Sequence, residues 1–78
     1  MSSPRDLVEF VAKSLVDDPS QVHVSEIEGE TSIILELRVG PEDMGRVIGR
    51  GGRTANAMRA LVRVLAAKQG KRIALEIV

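Results

Sequence analysis

Apolar residues recur near the start of the chain at Leu7, Val8, Val11 and Leu15, a spacing that lines one side of a helix. Ser3-Pro4 offers an N-cap followed by a proline at the first helical position, and Asp17-Asp18-Pro19 stops the run. The pattern predicts a helix from about Pro4 to Val16. The period then shortens to two. Val22 and Val24 alternate with polar neighbours, Glu28-Gly29-Glu30 supplies a turn, and Ile33, Leu35, Leu37 and Val39 alternate with Ile34, Glu36 and Arg38. A hairpin with one buried face is expected. Ile27 falls out of phase with Val22 and Val24, which points to a bulge or an early loop there.

Gly40-Pro41 ends the second strand, and Pro41-Glu42-Asp43-Met44 places a proline in the first turn of a short helix, with acids beside its positive end. That helix is expected over about Pro41 to Val47. After a glycine-rich stretch, Ala55, Met58, Leu61, Val62 and Leu65 mark an apolar stripe, with Arg53, Asn56, Arg59 and Arg63 on another side. A long helix from about Arg53 to Lys68 follows, with Gly70 at its C-cap and a closing strand over Arg72 to Val78 that buries Ile73, Leu75 and Ile77. The order is αββααβ. Three strands with one apolar face and three helices with one apolar stripe form a two-layer α+β domain over residues 1–78, the three-stranded sheet covered by three helices. Phe10 is expected in the core. Ile34 points to the face opposite Ile33 and Leu35 and is a candidate lining of a surface groove.

A chain of 78 residues makes one domain at most, and such a domain buries only about 60% of the surface its unfolded form exposes. With 44% hydrophobic and 28% charged residues it is too apolar for a disordered chain. There is no cysteine and one histidine, so a disulfide framework and a thiolate metal site are excluded, and neither a metal nor a cofactor is expected. No nucleophile–base pair stands out, which argues against an enzyme. The N-terminus reaches charged residues at once, and apolar runs stay far below the ~18 residues of a membrane span. A cytoplasmic protein without membrane attachment is expected.

The formal net charge is zero, but its distribution is not even. Residues 1–43 hold three basic residues against ten acids, whereas residues 44–75 hold eight basic residues and no acid. The second half is a basic module, the footprint of a polyanion partner. Its centre is Val47-Ile48-Gly49-Arg50-Gly51-Gly52-Arg53-Thr54, where three glycines in four positions remove the Cβ atoms that would hold another backbone away. The following helix begins here, so its unpaired N–H groups and positive dipole end face the same space as Arg50 and Arg53, with Arg46 one turn earlier. A phosphate-binding P-loop would need glycine at position 47 and a preceding strand, and a dinucleotide fingerprint would need glycine at position 54. Neither condition is met.

The Gly49-Arg50-Gly51-Gly52 loop between two helices, preceded by Val47-Ile48, resembles the Gly-x-x-Gly loop of KH domains, and the order αββααβ resembles their type II arrangement. With Pro41 to Gly49 and Gly52-Arg53-Thr54-Ala55, nearly the whole chain is similar to the small stand-alone bacterial KH-domain RNA-binding proteins. The resemblance implies that Gly49, Arg50, Gly51 and Gly52 contact the backbone of about four nucleotides of single-stranded RNA. It also implies a homodimer, or a heterodimer with a larger KH-containing protein, acting as an RNA chaperone or post-transcriptional regulator. In some bacteria such pairs are linked to cell-wall and cell-shape control. One departure is Gly51, where many KH loops carry a basic or polar side chain.

Bases would lie in an aliphatic groove rather than on aromatic rings, with Val47, Ile48, Ile34 and Leu37 as candidate linings. The expected RNA-binding set is therefore Arg46, Val47, Ile48, Gly49, Arg50, Gly51, Gly52, Arg53, Thr54 and Ile34. Two other classes stay open: a helix-turn-helix-like module that reads duplex DNA with helix 53–68, and a protein-interaction module whose basic face docks an acidic partner. Small residues on the long helix (Ala55, Ala57, Ala60, Ala66, Ala67) offer a close approach for a second copy.

Overall fold

The computed structural model describes residues 3–78. Helix α1 (Pro4–Leu15) starts at the expected cap, where the Ser3 hydroxyl accepts a hydrogen bond from the Asp6 N–H. Strands β1 (His23–Glu28) and β2 (Ser32–Arg38) form the hairpin. Helix α2 is short (Met44–Ile48), and α3 (Arg53–Gln69) runs to Gly70, which stands at φ 68° as the C-cap. Strand β3 (Arg72–Ile77) closes the chain. This is the order αββααβ read from the sequence.

Two boundaries differ. The short helix divides into a 3-10 turn at Pro41–Asp43 and the α-helical Met44–Ile48. A further 3-10 turn at Pro19–Gln21, which the period of hydrophobicity does not reveal, joins α1 to β1. Its cap is Asp18, whose carboxyl is held below its ordinary range by hydrogen bonds from Gln21 and Ser20.

The sheet order is β1-β2-β3, with β1 antiparallel and β3 parallel to the central β2. Parallel pairing needs a crossover, and α2 and α3 supply it. Ile33, Leu35 and Leu37 of β2 point to the helical side and meet Val8 and Ala12 of α1, Val47 of α2, and Met58 and Val62 of α3 in one core. Leu35 and Leu37 are fully buried; truncation of either to alanine would cost about 2–5 kcal/mol.

Three expectations about side chains are corrected. No bulge occurs at Ile27, because β1 pairs with β2 in unbroken register from His23 opposite Arg38 to Glu28 opposite Ile33. Strict alternation turns Ile27 to the face away from the helices, opposite Ile34, where it is 52% exposed. Phe10 is not in the core but 61% exposed. It lies two residues from the buried Val8, roughly 200° around the helix. Leu61, expected on the core stripe of α3, is also exposed, since the buried positions are Ala55, Met58, Val62 and Ala66.

Candidate nucleic-acid interface

The loop between α2 and α3 owes its shape to glycine at two positions above all. Gly49 ends α2 at φ 77° and ψ 172°, a region that only glycine occupies readily. A Cβ placed there would lie 2.8 Å from both the backbone nitrogen and the Cβ of Thr54, and closer still to the Thr54 hydroxyl. Thr54 therefore occupies the space that a side chain at Gly49 would need. Gly51 stands at φ 62° and ψ 19°, and a Cβ there would meet nothing within 4 Å. The first glycine lets the loop close against α3, and the second keeps the outer rim bare.

Arg50–Gly52 form a 3-10 turn, and the Gly52 N–H donates to the Gly49 carbonyl at 3.1 Å. Gly52 is the N-cap of α3 and has no side chain with which to cap it. The positive end of a helix of 17 residues is thus left to solvent or to an anion. Arg50 and Arg53 flank it, are exposed, and have no ion-pair partner among the described residues.

Other residues expected at the site have different surroundings. Arg46 is tied into a network: its guanidinium reaches Asp17 Oδ2 at 3.1 Å and Asp43 Oδ1 at 3.2 Å. Val47 is fully buried and belongs to the core, as does Leu37. Ile48 is 37% exposed beside the loop, and Thr54 is half-buried beneath Gly49. Ile34 is half-buried on the helix-free face of the sheet, paired with Ile27 and Ala74, and so is not brought together with the loop.

The residue that sequence reasoning missed is Asp43. It is 3% exposed, and its two carboxylate oxygens accept from the N–H groups of Asp17 (3.1 Å) and Asp18 (3.2 Å) as well as from Arg46. This carboxylate fixes the approach to α2 against the end of α1. An acid beside a helix start reads as a dipole partner, so its distant partners left no local signal.

A groove of about 300 Å³ runs between α3 and β3, lined by Arg59, Val62, Arg63, Ile73, Ala74 and Leu75. Arg59 crosses it: Nε donates to the Leu75 carbonyl at 3.2 Å, and Nη1 to Asn56 Oδ1 at 3.3 Å. The groove lies along the same helix whose N-terminus forms the glycine loop. Among the described residues no group of three or more His, Cys, Asp or Glu could hold a metal, and no helix is long and apolar enough to cross a membrane.

Comparison with known proteins places this geometry in a family. The family model described as KhpA/KhpB, KH domain, matches residues 5–77. RNA-binding protein KhpA of Clostridium perfringens is 57% identical over 74 residues, which cover 95% of this chain and 99% of that protein. KhpA of Aquifex aeolicus is 49% identical over 77 residues, 99% of this chain and 98% of that protein. Among solved structures, Era of Aquifex aeolicus superposes with a TM-score of 0.67 at 19% identity, over 95% of this chain and 29% of Era. A structure of Era in complex with MgGDPNP and a segment of 16S ribosomal RNA gives 0.61 at 20% identity, over 95% of this chain and 28% of that one. At such identities the Era structures bear on the fold alone.

Proposed function

The chain belongs to the KhpA/KhpB family of KH domains, and from that premise we propose that it binds single-stranded RNA with the backbone held on Gly49-Arg50-Gly51-Gly52. The observation that carries this reading is the bare loop itself. An uncapped helix terminus, a glycine rim with open space at Gly51, and two exposed arginines without an ion-pair partner among the described residues lie within five residues of one another. Phosphate oxygens are the ligands that such a surface suits, and KH loops take about four nucleotides of backbone. The relatives named above are RNA-binding proteins.

The duplex-DNA alternative asks α3 to present Arg59 and Arg63 to a major groove. Arg59 instead turns toward β3 and bonds the Leu75 carbonyl, which favours single strands laid along α3.

The function is that of a binding module rather than an enzyme. The resemblance carries the finer reading of an RNA chaperone or post-transcriptional regulator in the cytoplasm, with a link to cell wall and cell shape. Pairing, with a second copy or with a larger KH-containing chain, is supported by an exposed apolar surface where α1 meets α3. Leu61 is 49% and Val64 56% exposed, and with Leu7 and Leu65 they line a shallow pocket of about 190 Å³. The experiment that tests RNA binding is competition at one fixed salt concentration between single-stranded RNA, single-stranded DNA and duplex DNA. RNA is expected to compete best; preferential competition by duplex DNA, or by none of the three, overturns the reading.

A further inference from the structure

Arg46, beside the glycine loop, is engaged by the protein's own acids: Nη1 reaches Asp43 Oδ1 at 3.2 Å, and Nη2 reaches Asp17 Oδ2 at 3.1 Å. The fold needs these two contacts to different degrees. Asp43 is buried, and a buried carboxylate is costly unless cations and donors surround it. The Nη1 arm and the N–H groups of Asp17 and Asp18 meet that need. The Asp17 carboxylate is 78% exposed, where water solvates it, and what Asp43 holds is the Asp17 backbone rather than its side chain. An exposed ion pair adds little to stability. Neighbouring charges do not compete for the contact, since the Asp18 carboxylate is occupied by Ser20 and Gln21, and Lys13 is paired with Glu9.

What the Asp17 contact does change is charge. Two carboxylates against one guanidinium leave a net negative patch on α2. It stands three residues before Gly49, roughly 4.5 Å along the helix, inside the screening length of about 10 Å at 0.1 M salt. We propose that Asp17 masks Arg46 and thereby limits the strength of RNA binding. With Asp17 in place, Arg46 adds nothing to the phosphate site. Without it, Nη1 stays on Asp43 while Nη2 is free to take a phosphate where the strand runs past the loop. Fewer phosphate contacts mean weaker binding and faster release, so an exposed acid with little structural use sets how long the strand is held. This proposal rests on the reading of the glycine loop as the backbone site, which brings the strand to the end of α2.

The test is a salt titration of RNA binding by fluorescence anisotropy, on the full chain with a labelled single-stranded oligoribonucleotide of mixed sequence. Asp17→Ala keeps the backbone N–H that Asp43 holds and removes the mask. It should bind about fivefold tighter than the wild type at 0.1 M salt, the counterion effect of one added single-strand phosphate contact, and its log-log slope should steepen from about −1.4 to about −2.1. Asp17→Asn, which keeps the shape and loses the charge, should move both quantities in the same direction, and circular dichroism checks that the variants fold. In the Arg46→Ala background the Asp17→Ala gain should shrink to about 1.5-fold or less with no change of slope, because the gain acts through Arg46. Folded Asp17 variants with wild-type affinity and slope overturn the proposal. So does an equal gain in the Arg46→Ala background, which would assign the effect to net charge alone. A wild type that binds no RNA at any salt defeats the reading of the loop beneath it.

Discussion

At Gly49 the backbone conformation and the neighbouring side chain both exclude a Cβ, whereas at Gly51 only the conformation resists one. The two should therefore respond differently to substitution. Gly49→Ala should cost about 1–3 kcal/mol from backbone strain, with the contact against Thr54 added. Gly51→Ala should cost on the order of 1 kcal/mol. A domain of this size loses about 4–8 °C of melting temperature per kcal/mol, so thermal unfolding of the two variants separates them. Equal melting temperatures would mean that Thr54 yields freely. The arginines divide in the same way. Arg50 and Arg53 have no ion-pair partner among the described residues, so RNA affinity should fall with salt at a log-log slope of about −1.4, from about −0.7 per phosphate contact. Arg50→Ala should flatten that slope toward about −0.7, while Arg46→Ala, which breaks a pairing with Asp17 and Asp43, should leave it nearly unchanged. A slope that flattens equally for both would return Arg46 to the phosphate site. The loop was legible in the sequence because three glycines in four residues have few structural uses. The pairing of Arg46 was not, because Asp17 lies on a different element.

Among the elements, the helices and strands followed from hydrophobic period and from Pro and Gly punctuation, and their faces were the harder part. Leu61 was misplaced because an apolar residue next to a buried stripe looks like part of it until the width of the covered face is known, and Phe10, on the far side of α1 from Val8 and Ala12, because apolarity alone does not say which face a helix buries. Ile27 was misread because Glu26 and Glu28 take the helix-side positions at the exposed end of β1, so charge rather than apolarity marks the continuing alternation. The groove was half legible, with Arg59 and Arg63 on one side of α3 and Ile73 and Leu75 in β3. That β3 is an edge strand, however, depends on strand order, which the chain does not declare locally. Asp43 tests how α2 is anchored. Asp43→Ala strips the acceptor from two backbone N–H groups and frees Arg46 from one partner, so it should destabilise by about 1–3 kcal/mol. Asp43→Asn, which keeps one carbonyl oxygen, should cost less. Denaturant unfolding measures both, and an unaffected Asp43→Ala would show that water replaces the carboxylate without penalty.

For the whole molecule, size sets the problem. A domain this small has a thin core and, with the RNA held as proposed, one short RNA site, and pairing two sites can raise avidity by about 10² to 10⁴ without a new contact to RNA. The alanines of α3 that suggested a close helix contact divide on inspection: Ala55 and Ala66 are buried in the protein's own core, while Ala57, Ala60 and Ala67 are exposed. The larger exposed side chains Leu61 and Val64 are the stronger anchors. Sedimentation at micromolar concentration without RNA should find a dimer that Leu61→Glu converts to monomer, and a monomeric wild type would contradict the pairing. The account as a whole turns on where the RNA backbone sits. Replacing Arg50 and Gly51 together by Asp puts two carboxylates where phosphates must lie, in a loop where the left-handed conformation at Gly51 adds only about 1 kcal/mol of strain. The variant should keep the circular dichroism of the wild type, melt within about 10 °C of it, and lose measurable affinity for single-stranded RNA; a folded double variant that binds RNA as the wild type does would contradict the account.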